Sequence, residues 1–128
     1  MTTVALVLTL SILAGLALMQ ILLISGLPLG NYGWGGQHPV LPPRLRVASA
    51  VAILLYAGFA VLVMGRAGIL PGRGTRLVIV ATWVLFAYSA VSIVMNAISR
   101  SRQERIVQTP VSVLLTVGVL IIAAGPTA

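Results

Sequence analysis

Residues 4–26 form an unbroken run with no charged side chain, and three comparable apolar runs follow at 43–64, 76–98 and 109–124. A helix that crosses the hydrocarbon core needs about 20 such residues. Only helices and closed barrels satisfy every backbone group inside a bilayer. Runs of this length predict helices. The remaining residues are enough for connections and ends, and leave no room for a separate soluble domain. Residues 1–128 are therefore expected to form a single transmembrane domain. The predicted fold is all-α: a four-transmembrane-helix bundle made of two helical hairpins, alternating up and down.

Composition agrees. Of the 128 residues 59% are hydrophobic and 7% charged, against about 25% charged in a typical soluble domain. The net charge of +7 comes entirely from arginine: Arg44, Arg46, Arg66, Arg73, Arg76, Arg100, Arg102 and Arg105. Each lies at or beside the end of an apolar run. That placement reads as anchoring to anionic headgroups and argues against a nucleic-acid partner. All-arginine usage beside abundant Ala, Gly and Val hints at a bacterial genome rich in GC. The expected location is a bacterial inner membrane, crossed several times.

Much chemistry is excluded. There is no cysteine, hence no thiol redox chemistry and no thiolate metal site. Glu104 is the sole acidic residue and His38 the sole histidine. No metal-ligand set exists, and no cofactor is expected. No carboxylate falls in residues 4–26, which separates the chain from the small multidrug-resistance transporters. It also lacks the glycine-rich start and the third-helix phenylalanine motif of fluoride channels.

Along the chain, Ser11, Gly15 and Ser25 are expected to form a small-residue stripe for close helix packing, with Gln20 bonding across to a neighbour. The first connection, Leu27 to Pro43, holds four glycines and four prolines, which oppose regular structure. Tyr32 and Trp34 there suit the headgroup layer. Pro43 opens the second span, and Arg44 and Arg46 fall in its first turn, unfavourably placed for the helix dipole. Ala48, Ala52, Ala57 and Gly58 offer close-packing positions. The second connection reads as a plain turn with Arg66, Arg73 and Arg76 as basic anchors.

In the third span Thr82, Ser89, Ser92 and Asn96 fall within roughly 80° of one another on a helix. Such a stripe serves interhelical hydrogen bonds or lines a polar cavity. Ser101 with Glu104 matches a capping box. Pro110 would be interior to a helix begun there, so Thr109 as N-cap with Pro110 following is the expected start of the fourth span. Gln108, Ser112 and Thr116 share a face of it.

Loops 1 and 3 carry five arginines and loop 2 carries three. Positive-inside places loops 1 and 3 in the cytoplasm and both termini outside. The margin is small, and dual insertion as an antiparallel homodimer is an alternative. One membrane face then gathers Trp34, His38, Arg44, Arg46, Asn96, Arg100, Arg102, Glu104 and Arg105. Gln20, Thr82, Ser89 and Ser92 are candidate cavity-lining residues.

The segments Gly35-Gly36-Gln37-His38-Pro39-Val40-Leu41-Pro42-Pro43-Arg44-Leu45-Arg46 and Asn96-Ala97-Ile98-Ser99-Arg100-Ser101-Arg102-Gln103-Glu104-Arg105, followed by Thr109-Pro110-Val111, resemble a group of small, uncharacterised four-span proteins from bacteria. The resemblance implies the four-helix architecture and marks the face formed by loops 1 and 3. It carries no activity. Three functions remain in view. One is a non-enzymatic membrane or accessory protein whose arginine-rich face binds anionic lipid or a partner subunit. Another is an oligomeric transporter or channel lined by the third-span stripe. The last is a lipid-headgroup enzyme using His38 and Glu104; the expectation is against it, with no catalytic residue assigned.

Overall fold

A computed structural model describes residues 2–26, 28, 38–99 and 101–125. Four helices account for most of them: α1 (Thr2–Ile24), α2 (Pro43–Arg66), α3 (Arg76–Ala97) and α4 (Arg102–Ala123). Each is long and apolar enough to cross a membrane. Successive helices run antiparallel. The hairpins α1–α2 and α3–α4 are closely packed, and α1 against α4 joins them. By contrast, α2 and α3 touch sparsely, so the bundle is open along one side.

The core is a line of Leu6, Leu13, Val63, Leu85, Leu115, Val119 and Ile122. Large apolar side chains also cover the outside, among them Leu54 at 73% and Leu77 at 79% exposure. An apolar exterior over four spanning-length helices is the surface that a bilayer solvates. The most buried helix is α4.

Three expectations change. First, α4 begins at Arg102 and contains Pro110 in its interior, where a start at 109 was expected. Ser101 is the N-cap: its Oγ accepts from the Glu104 amide at 3.3 Å. The cap turns Glu104, Gln108, Ser112 and Thr116 toward the bundle, where all are buried. The Pro110 ring lies on the exposed side, so its cost stays within its own helix: a missing donor for the Ile106 carbonyl and crowding of that carbonyl.

Second, the small-residue stripe of α1 faces outward. Ser11, Gly15 and Ser25 are exposed, nothing stands within 4 Å of a Cβ built on Gly15, and both serine hydroxyls donate to their own helix, at Val7 O and Leu22 O. The close approach of α1 is elsewhere: a Cβ on Gly118 of α4 would overlap Thr9 Oγ1. In α2, Ala57 and Gly58 are likewise exposed.

Third, α2 extends two residues beyond the expected Met64 and ends on Arg66. That arginine is not a surface anchor. It is 2% exposed, and its Nη2 donates to the carbonyls of Ala123 at 3.0 Å and Gly125 at 2.7 Å.

Candidate functional site

The last four carbonyls of a helix lack intrahelical partners and carry a partial negative charge. In this fold an arginine from another segment meets each helix C-terminus. Arg46 lies against Gly26 just past α1, with its Nε donating to Leu41 O at 2.9 Å. Arg73 lies against Gly68 just past α2. Arg105 Nη1 donates to Ser99 O, just past α3, at 2.7 Å. Arg66 closes α4. Arg46, unfavourably placed in the first turn of α2, thus also stands beside the end of α1. Gly26 and Gly68 both have positive φ, 93° and 90°, the left-handed turn that glycine permits at a helix end.

Between the sparsely touching α2 and α3, a cavity of about 1000 Å³ opens into the bundle. It occupies the half of the bundle nearest loops 1 and 3. Its walls are largely apolar and come from all four helices, with Leu16, Val51, Leu55, Val91, Met95 and Leu115 among them. Near the middle of the bundle Phe59 bridges the gap. Its ring centroid is 5.8 Å from that of Tyr88 on α3 and 6.4 Å from that of Tyr56.

The end toward loop 3 is polar. Asn96, Ser99, Glu104, Gln108 and Ser112 line it, with Gln20 from α1. The Asn96 amide donates to Gln108 O at 3.4 Å and to Ser112 Oγ, tying α3 to α4. Gln108 Nε2 donates to Met19 Sδ at 3.0 Å, tying α4 to α1. Ser99 Oγ donates to Glu104 Oε2 at 3.0 Å and itself accepts from the Ser101 amide. The forward arm of the capping box is direct, from the Glu104 amide to Ser101 Oγ, and the return arm runs from the Ser101 amide through Ser99 Oγ to Glu104. Glu104 is 8% exposed. Gln20 is 5% exposed, and its Oε1 has no partner among the described residues.

The expected site residues divide. Asn96 and Glu104 meet at the polar end of the cavity, with Gln20 and Ser92 on its wall. Thr82 and Ser89 are fully buried and lie off it; Thr82 donates to its own helix at Val78 O. The stripe on α3 is thus split between helix packing and cavity. Arg46 and Arg105 hold carbonyls, Arg44 and Arg102 are exposed at the same end, and His38 is half-buried and does not line the cavity. Trp34 and Arg100 lie outside the described residues, as do Tyr32 and Gln37.

Residues that the sequence did not single out for a cavity are Tyr56, Phe59 and Tyr88, which bridge its far end, and Ser99. The spacing by four of Glu104, Gln108, Ser112 and Thr116 is a usable signal for the inward face of α4. Nothing comparable marks the aromatic residues. No family model, curated protein or solved structure matches the chain.

Proposed function

We propose that this is a non-enzymatic membrane protein that binds a phospholipid. One acyl chain would enter the cavity between α2 and α3, and the headgroup would lie at the loop 1–loop 3 end. The observation that carries this reading is the polarity of the cavity. It is apolar along its length and polar at one end, and Arg44 and Arg102 are exposed at the same end of the bundle, outside the cavity wall. An apolar site with a few polar groups at one point is the usual form of a ligand pocket. From Glu104 to Leu115 along α4 the rise is roughly 16 Å, enough to hold much of an acyl chain. The lateral opening gives a lipid direct entry from the bilayer. Arginine guanidinium groups suit phosphate.

The orientation in this reading has loops 1 and 3 in the cytoplasm, following their five arginines. A single Ser101→Cys thiol in this cysteine-free chain would then be labelled by an impermeant reagent only after cells are opened.

Lipid retention tests the proposal. The protein is purified in mild detergent, and bound phospholipid is counted by native mass spectrometry. Wild type is expected to retain a lipid, and Ala52→Phe, which fills the cavity from α2, to lose it with helicity unchanged. Equal retention by both would overturn the proposal. Ser92→Leu gives a second block from α3.

A further inference from the structure

The cavity stops where the bundle becomes filled. The lining residue farthest from loops 1 and 3 is Leu13 on α1, Phe59 on α2, Leu85 on α3 and Leu115 on α4. These four form its floor. The three leucines belong to the buried core, and Phe59 packs against it. Leu13 is the middle residue of α1, and Leu85 and Leu115 lie near the middles of α3 and α4. Beyond them Val63, Val119 and Ile122 are fully buried. At the same level the Phe59 and Tyr88 rings, with centroids 5.8 Å apart, bridge the gap between α2 and α3. An occupant therefore meets a stop near the bilayer midplane. From Ala48 to Phe59 along the α2 wall the rise is about 16 Å. One leaflet, half of the hydrocarbon core, is about 15 Å deep.

We propose that this floor measures acyl-chain length, so that the site selects lipids of one leaflet whose chain ends against Phe59 and the three leucines. The inference rests on the phospholipid reading above and names the chain that the site takes. In a bilayer an acyl chain gains no hydrophobic energy by entering an apolar cavity, because lipid tails are as apolar as leucine. What discriminates is fit. A short chain leaves wall atoms without partners and forfeits their dispersion contacts. A long chain has to turn aside at a packed floor, and overpacking is also costly. Phe59 is half-buried where the leucines are buried, which makes it the part of the floor most open to change. Removing its ring would deepen the cavity by at most one helical turn, about 5 Å, before the fully buried Val63 is met. Leu16 lies on the α1 wall, three residues above Leu13, where a larger side chain would raise the floor.

The test reconstitutes the full chain in nanodiscs that hold an equal mixture of phosphatidylglycerols. Their paired cis-monounsaturated chains are myristoleoyl, palmitoleoyl, oleoyl, eicosenoyl or erucoyl. A shared disc gives every species the same headgroup and the same bilayer thickness, so the lipid that stays bound reports the site. Native mass spectrometry identifies it. Wild type is expected to retain palmitoleoyl and oleoyl lipids severalfold over myristoleoyl and erucoyl lipids. Phe59→Ala should shift retention to longer chains and Leu16→Trp to shorter ones. Loosened packing alone would not move the two variants in opposite directions. Circular dichroism shows which variants fold, and if Phe59→Ala does not, Leu16→Trp carries the test. An unmoved or reversed profile in a folded variant would overturn the inference. So would equal retention of all chain lengths by wild type, which leaves the phospholipid reading standing. Absence of bound lipid in wild type would overturn both.

Discussion

Arg66 Nη2 stands 3.0 Å from the carbonyl oxygen of Ala123, so that the last residue of α2 closes the last turn of α4. The same nitrogen reaches Gly125 O. A guanidinium at a helix C-terminus meets both the orphan carbonyls and the negative end of the dipole. It also links the two hairpins at the end of the bundle away from the cavity.

Arg66→Met should therefore lower stability by roughly 3 kcal/mol, because two buried carbonyls lose a charged donor. Arg66→Lys should recover part of it, since an ammonium keeps the charge without the planar fork. Unfolding in mixed detergent micelles, followed by far-UV circular dichroism, measures both. A loss under about 0.5 kcal/mol in Arg66→Met, the level of an exposed site, would show that these carbonyl contacts add little to stability.

Gly118 should tolerate no side chain as the fold stands. A Cβ there would overlap Thr9 Oγ1, and the backbone of Ala5 lies close behind. Gly118→Ala is expected to cost about 1–3 kcal/mol through overpacking. Thr9 is fully buried, and its hydroxyl has no partner among the described residues, so Thr9→Ala should cost little. The double variant should recover most of the loss. A double-mutant cycle reads the coupling directly, and additive losses would show that the two helices do not meet at this pair.

Asn96 and Ser112 couple α3 to α4 at the edge of the cavity. Asn96→Leu and Ser112→Ala are each expected to cost about 0.6–2 kcal/mol, the range of interhelical hydrogen bonds in membranes. Their effects should be strongly non-additive, because each removes the same bond. The same unfolding assay applies, and full additivity would count against the bond.

The four helices were legible because length and hydropathy alone decide them. Which face of a helix turns inward was much harder. In a bilayer both the core and the exterior are apolar, so the pattern that orients a soluble helix is absent from α1 and α2, and on α3 only the polar stripe from Thr82 to Asn96 marks the inward side. The Ser11–Gly15–Ser25 stripe illustrates this: small residues permit a close contact without requiring one, and the actual contact uses Thr9. On α4 polar residues recur every four positions, from Glu104 to Thr116, and there the inward face could be read. The role of Arg66 was hidden for another reason. A charge at the end of an apolar run looks the same whether it faces headgroups or a neighbouring helix terminus. The cavity arises from a poor fit between α2 and α3, which no single-sequence pattern encodes.

Pro110 offers a final test of why α4 starts where it does. Proline in a helix interior withholds one hydrogen bond and crowds the carbonyl four residues back, here that of Ile106. The helix nonetheless continues through it. Three features favour this: the Ser101 cap, the exposed side taken by the ring, and the bracing of the adjoining turn by Asn96 through Gln108 O and Ser112 Oγ. Neighbouring side chains commonly support such breaks in membrane helices. If proline is tolerated and contributes nothing, Pro110→Ala restores an N–H donor and should stabilise the protein by roughly 1–3 kcal/mol. Pro110→Gly restores the same donor but adds backbone freedom, and should gain about 1 kcal/mol less. A loss of stability in Pro110→Ala would show instead that the proline sets the path of α4, and the cavity wall formed by Glu104, Gln108 and Ser112 would then depend on it. Ser101→Ala separates the two cases. Without its cap, α4 should fray back toward Pro110, at a cost of about 1 kcal/mol, and hydrogen exchange at the amides of residues 104 to 108 would rise first.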